Sequence, residues 1–512
     1  SSNSVLDYYR NLFQIATQDF PDPGSHVADT GIYLNNGYGP NTQNPYKSPQ
    51  LDIWSKNDSE PPTELLKDVY YKWSNFAKMV TTVCRNHYGT DHWEEFWHSF
   101  VQYYWDKNFR ELVYMPALAA YDPCKPGFFG GLGMAEAEDT LFYTIGAGDG
   151  SWGAFYDISC LYPIRTLLFG FGTNHQLIKG KFNGQENFVP GPQYGETIED
   201  SLGNSLASPA YLGVQTFTEC LFYQPVISQL VKNISLYEAS KIEGYNINLY
   251  TRNGVKKIRR TDTGKLEVTS AKLTNQIYDI VILTPPTWAS QMGMTFEGFD
   301  TKTQLPFDVI FSMKESHWIT SCKVFYPLTQ RYWENSNIPQ LISTDTYLQG
   351  VYGYAVNNDP GVLLVSYTWE DDANKFIAEA DDNAFAKKCL DQLDELLLSC
   401  QNIQTRISSF VDVSRPAVIH WSKQPSYRGC AKLYRERTWN ENHVLLRYNQ
   451  EISGESNLYF AGEAFSVEGG WTEPALRSAL DAVIHAIANT GGTFLNEFQY
   501  SDYPKYDKWN PS

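Results

Sequence analysis

Two stretches of this sequence hold residue types whose order alone points to chemistry. The first runs Leu458-Tyr459-Phe460-Ala461-Gly462-Glu463, then Gly469-Gly470-Trp471-Thr472-Glu473-Pro474 into Ala475-Leu476-Arg477. An apolar strand-like run ends in Gly-Glu, a glycine-rich loop follows, and a helix starts with proline in its first turn. Gly462 lets a cofactor approach the main chain, and Glu463 can accept hydrogen bonds from ribose or ribityl hydroxyls. The helix start offers unpaired N–H groups and the positive end of its dipole to an anion. The second stretch, Gly148-Asp149-Gly150-Ser151-Trp152-Gly153, is a literal match to the dinucleotide fingerprint Gly-x-Gly-x-x-Gly. Its chemistry is wrong. Asp149 would set a carboxylate against a pyrophosphate, Trp152 is too bulky for the close turn, and residues 165–175 hold no acid to meet a ribose.

The elements around these stretches follow from periodicity. Residues 24–60 are rich in Gly, Pro, Asn and Ser and read as irregular loop. From Pro62 to about Leu118 the apolar spacing is helical, as in Leu65, Leu66, Val69, Trp73, Phe76, Val80 and again in Trp93, Phe96, Phe100, Tyr104. Further helices are predicted at Met134–Ile145, Asp157–Phe169, Asp382–Gln401 and Pro474–Asn489. Past residue 230 short β-type runs appear: Ile247–Tyr250, Val255–Arg260, Lys265–Thr269 and Tyr278–Leu283. The last is apolar without alternation, as a strand buried on both faces is, and it stops at Thr284-Pro285-Pro286. More β-type runs fill 305–370, and Asn457–Ala461 is a final strand. The expected class is a mixed α/β fold (α+β) of discontinuous domains.

A chain of 512 residues is too long for one small core. Its formal net charge of −18 argues against nucleic acid or an anionic membrane as a partner, since both call for clustered Lys and Arg. The eight cysteines, from Cys84 to Cys430, contain no C-x-x-C pair, which excludes the usual structural zinc spacings and a dense disulfide framework. No metal site is expected. Nor does any apolar run reach the length of a membrane span. Aromatic residues are abundant, at 15%, and serve either to line a pocket or to fill interfaces between packed layers.

The segment from Leu458 to Ala479 resembles the C-terminal FAD motif of the flavin amine oxidase superfamily. More closely, residues 5–490 are similar to L-amino-acid oxidases and to the tryptophan, lysine and phenylalanine 2-monooxygenases. The resemblance implies FAD as cofactor, an FAD-binding domain of the glutathione-reductase-like type, a mixed-sheet substrate-binding domain and a helical domain. It divides the chain into 1–60 (substrate-domain segment and loops), 61–170 (helical), 171–290 (middle FAD segment), 291–445 (substrate-binding), 446–490 (C-terminal FAD segment) and a tail, 491–512. Val255, in Gly254-Val255-Lys256-Lys257-Ile258, stands where the family holds adenine through its backbone, and Pro285 closes the same middle segment. Tyr367, in Ser366-Tyr367-Thr368-Trp369-Glu370-Asp371, stands where a tyrosine binds the substrate carboxylate. Lys323 takes the place of a lysine that holds a water near flavin N5. Trp421 and Trp471 resemble the aromatic walls beside flavin and substrate amine. Gly462, Glu463, Gly470, Trp471 and Thr472 would complete the cofactor contacts, and Gly470 the substrate's.

The implied reaction is oxidation of an L-amino acid by hydride transfer to flavin, with O2 as the second substrate. The product is a 2-oxo acid with ammonia and H2O2, or an amide after oxidative decarboxylation. Asp149 would suit a cationic side chain, whereas the aromatics would suit Phe, Tyr or Trp. Two other readings stay open: an oxidase of amines lacking a carboxylate, and a flavin-free scaffold. Because this sequence contains no acceptable pyrophosphate-binding βαβ unit, the expectation is a cleaved proprotein. A second polypeptide would carry the Rossmann segment, and the cleaved protomers would pair as a dimer.

Overall fold

The computed structural model describes residues 4–13, 15, 17–20, 28–34, 50–118, 129–148, 150–170, 176–178, 197–199, 205–207, 214–225, 233–356, 359–466 and 469–503. Helices and mixed sheets are interleaved along the chain, as the α/β reading requires.

The three largest apolar cores among the described residues organise the fold. The first is helical. Thr63 caps Glu64–His87 through its side chain, and Trp93–Tyr104, Phe109–Tyr114 and Glu136–Ile145 pack with it. The stripe Trp93, Phe96, Phe100, Tyr104 faces inward, and Trp152 lies parallel to Phe142 with 5.9 Å between ring centres. Much of the aromatic excess is spent here, on filling large spaces with few side chains. The predicted helix Asp157–Phe169 is shorter, Leu161–Arg165, and ends in a π-type turn over Thr166–Gly170.

The second core lies beneath a seven-stranded sheet. Its order is Ala417–His420, Ser321–Pro327, Val362–Trp369, Gly350–Tyr354, Leu341–Thr344, Thr30–Tyr33 and Asp52–Trp54. Helix Asp382–Ser399 covers one face, burying Phe385, Leu390, Leu393 and Leu397 against Val324, Tyr326 and Val365. That arrangement leaves the opposite face of the central strands for other work.

The third core joins a four-stranded sheet, ordered Thr295–Glu297, Val255–Arg260, Leu266–Ser270, Gln276–Tyr278, to a parallel pair, Val281–Leu283 with Leu458–Phe460. The sequence reading is corrected at two places here. Ile247–Tyr250 forms no strand, being flanked by left-handed Asn246 and Arg252. The single run Tyr278–Leu283 breaks into two strands that serve different sheets.

The parallel pair is asymmetric. In Val281–Leu283, the main-chain groups of alternate residues reach Leu458–Phe460, so those of Ile282 face the other edge. Among the described residues no strand pairs with that edge, and Ile282 is 39% exposed rather than buried on both faces as expected. The outer edge of Leu458–Phe460 is closed by side chains. Ser456 Oγ bonds both N–H and C=O of Leu458, and the Asn449 amide bonds both of Phe460, at 2.9 and 2.7 Å. Asp481 holds that amide in turn, at 3.0 Å.

Candidate functional site

The parallel pair brings two predicted segments together. Both strands end at the same level, so Thr284-Pro285 and Gly462-Glu463 are neighbours. A Cβ on Gly462 would lie 3.2 Å from the Thr284 carbonyl oxygen, and Gly462 has φ +97°. In open sheets ligands gather at the carboxyl ends of parallel strands. Val255 lies in the neighbouring four-stranded sheet but packs on the same core as the pair.

Glu463 is held by the main chain around it. Its Oε1 accepts from Gly470 N at 2.7 Å and from Lys432 N at 3.0 Å. Among the described residues Oε2 has no partner, which leaves it to accept from a hydroxyl. Burial raises its pKa, opposed by those two N–H bonds and by the Lys432 charge. Over Gly470 (φ +83°) there is room: an added Cβ would meet only Ala431 Cβ at 3.7 Å and Tyr162 Oη at 3.8 Å. Trp471 then caps helix Thr472–Asn489 with no side-chain hydrogen bond to its first turn. The Glu473 carboxylate is drawn away to Val5 N and Leu6 N, at 3.0 and 2.7 Å. A glycine floor, a carboxylate oxygen without a described partner and a helix start with no side-chain cap fit a planar group carrying a polyol chain.

The seven-stranded sheet supplies the other wall. Lys323 and Tyr367 are paired across adjacent strands, and the Lys323 ammonium sits 4.4 Å from the Tyr367 ring centre. Desolvation pulls the Lys323 pKa down, partly opposed by Cys430. It pushes the Tyr367 pKa well up, so the phenol keeps its proton. The Tyr367 hydroxyl donates to no described residue. Trp421 directly follows Ala417–His420, which pairs with the Lys323 strand on its other side, and meets Tyr427 edge-on at 5.5 Å. Three predicted residues thus come from three consecutive strands.

Cys430 and Tyr162, which sequence reasoning passed over, link the two walls. Cys430 lies within electrostatic reach of Lys323, Tyr367 and Glu463, and burial raises its thiol pKa to about 12. Tyr162 likewise reaches both Tyr367 and Gly470. Neither sits in a motif. The rejected fingerprint at 148–153 follows helix Glu136–Ile145 rather than a strand, which removes it as a phosphate loop. Asp149 lies outside the described residues.

Residues 222–486 match the flavin containing amine oxidoreductase family, and the chain belongs to it. It is an FAD-dependent oxidoreductase, with FAD as the cofactor the family implies. Tryptophan 2-monooxygenase of Pantoea agglomerans pv. gypsophilae is 24% identical over 535 residues, covering 99% of this chain and 81% of that protein. L-amino-acid oxidase of Siganus canaliculatus is 25% identical over 272 residues, 51% of this chain and 47% of that protein. In fold the chain is similar to putrescine oxidase bound to putrescine, with a TM-score of 0.56 at 10% identity, covering 95% of this chain and 84% of that one.

Proposed function

We propose that this chain oxidises an L-amino acid at its Cα–N bond, with O2 as the terminal acceptor. The observation that carries this reading is the half-buried, protonated Tyr367 hydroxyl, open to the site and with no acceptor among the described residues, beside the Lys323 ammonium. A donor left unmatched inside a site is a cost unless a ligand accepts from it, and a carboxylate does so strongly. The names of the relatives, tryptophan 2-monooxygenase and L-amino-acid oxidase, support an amino acid over a plain amine.

FAD, when bound, supplies the hydride acceptor; the protein supplies binding, orientation and electrostatics. Val255, Pro285, Gly462, Glu463, Gly470, Trp471 and Thr472 would hold the cofactor. Trp421, Gly470 and Trp471 would line the amine side, Tyr367 would fix the carboxylate, and Lys323 would hold a water and its proton. The products are a 2-oxo acid, ammonia and H2O2, or an amide after oxidative decarboxylation. Asp149 would select a basic side chain, whereas the abundant aromatics would suit Phe, Tyr or Trp. The three cores support separate helical, substrate-binding and FAD-binding domains, with the boundary at 290 moved later, since Thr295–Glu297, Val309, Met313 and Trp318 pack in the third core.

Tyr367→Phe is expected to raise KM for amino acids about tenfold, the weight of one hydrogen bond to a charged group, with little change for an amine lacking a carboxylate. Oxygen uptake with paired substrates measures both. An unchanged amino-acid KM would remove Tyr367 from carboxylate binding and favour the amine reading.

The edge at Ile282, unpaired among the described residues, supports a further proposal, that a parallel strand carried by a second polypeptide completes the cofactor sheet. Denaturing electrophoresis of the native flavoprotein is expected to show this chain with a smaller companion, in a dimer of such pairs. A single polypeptide retaining flavin contradicts it.

A further inference from the structure

Lys432 is 1% exposed, yet it carries an ammonium into the protein interior. It stands in the short strand Ala431–Leu433, which pairs with His317–Ile319 and not with the sheet holding Lys323. Its Nζ donates to Ala464 O at 2.7 Å and to Ser466 O at 3.1 Å, while its own N–H donates to Glu463 Oε1 at 3.0 Å. One residue therefore grips the loop after Gly462 at three successive points, through main chain and side chain together. Gly469 is pressed onto the same residue: a Cβ there would come within 1.9 Å of Lys432 O. Both ends of the loop are thus built on Lys432.

We propose that Lys432 is a positioning residue for the cofactor loop, its ammonium clamping the main chain at 464 and 466 so that Glu463 and Gly470 keep the geometry that receives FAD. This rests on the reading of Glu463 and Gly470 as cofactor contacts. The clamp is pH-dependent. Desolvation lowers the Lys432 pKa to about 7; Glu463 opposes that shift and Arg165 adds to it. The groups facing Nζ include Glu463 on the loop, Arg165 at the end of helix Leu161–Arg165, and the Tyr434 ring at 5.5 Å. Protonated, Lys432 makes two charge-assisted bonds and balances Glu463; neutral, it makes weaker bonds and leaves that carboxylate uncompensated. The unfolded chain binds more protons than the folded one between about 7 and the free-lysine value of 10.5, so this residue's contribution to folding stability rises with pH across that window. Grip on the loop changes in the opposite sense, strongest below about 7 and weakest above.

The test follows FAD release from the native holoprotein, read as recovered free-flavin fluorescence after dilution, between about pH 5 and 9. Wild-type release is expected to accelerate on the order of tenfold through a midpoint near 7. Lys432→Met is expected to release flavin fast with no inflection. Lys432→Gln, which keeps a neutral donor, also loses the inflection and decides the matter if the methionine variant does not fold. A wild-type profile in either variant, or a flat wild-type profile, overturns the clamp. Glu463→Gln separates the two readings: it should speed release at every pH. If it releases as wild type does, the cofactor assignment of Glu463 has failed. If it behaves as expected while Lys432 variants match wild type, only the clamp has.

Discussion

In a Lys323→Met variant, kcat/KM for the amino-acid substrate is expected to fall by on the order of 10²–10³-fold while flavin stays bound. Methionine matches the length of the lysine stem and lies comfortably in a strand whose neighbours, Cys322 and Val324, are buried. Removing a desolvated cation carries no stability penalty of the kind that follows from breaking a buried ion pair, because Lys323 faces the Tyr367 ring and not a carboxylate. What disappears is a proton donor and acceptor whose pKa burial lowers from the ordinary lysine value. The alkaline limb of the wild-type rate profile should fall below the pH at which free lysine titrates, and should be missing from the variant. Stopped-flow reduction under anaerobic conditions, run beside reoxidation by O2, shows which half-reaction uses the residue. If both half-reactions keep within about threefold of wild type, Lys323 has no part in proton handling.

Gly469→Ala is the second large effect, and it comes from main chain alone. The new methyl would lie 1.9 Å from the Lys432 carbonyl oxygen and 2.7 Å from its carbon, atoms fixed by the pairing of Ala431–Leu433 with His317–Ile319. Neither backbone can yield cheaply, so the loop must lift, and Gly470 N then leaves Glu463 Oε1. Overpacking of this kind costs about 1–3 kcal/mol in folding. The loss in cofactor binding is expected to be larger, on the order of 10²-fold, because several contacts depend on one loop position. Flavin content after gel filtration reads it directly. Gly293→Ala, where an added Cβ meets nothing within 4 Å, is the control and should retain its flavin. Equal flavin retention in the two variants would falsify the loop argument.

The two halves of the candidate site were legible to different degrees. The Gly462-Glu463 segment announces itself locally: strand, glycine turn, acid and helix start are contiguous, and their backbone demands are visible in residue type. Lys323 and Tyr367 have no such local pattern; their pairing is a fact of strand register, and register depends on distant partners. Lys432 escaped notice even though the signal that marked Lys323 was present. Both lysines sit in apolar strand-like runs, here Cys430-Ala431-Lys432-Leu433. The break between Tyr278 and Val281 was invisible because a continuous β-type run does not say which sheet each half joins. Likewise, burial of Ile282 on both faces was inferred from apolar composition, which reports what a strand is suited to meet and not what it meets.

The side chains of Ser456 and Asn449 close one border of the parallel pair, and among the described residues no strand covers the other. That gives the sheet a direction of growth, and it makes the order of manufacture matter. If a second polypeptide fills that edge, as proposed, the chain produced alone would offer it to stray strands from other copies and yield would be lost to aggregates. Produced together with its complement, the same margin is spent as soon as it forms. On that proposal, co-expression, rather than later mixing of purified pieces, is the route by which this fold should be recovered in working form.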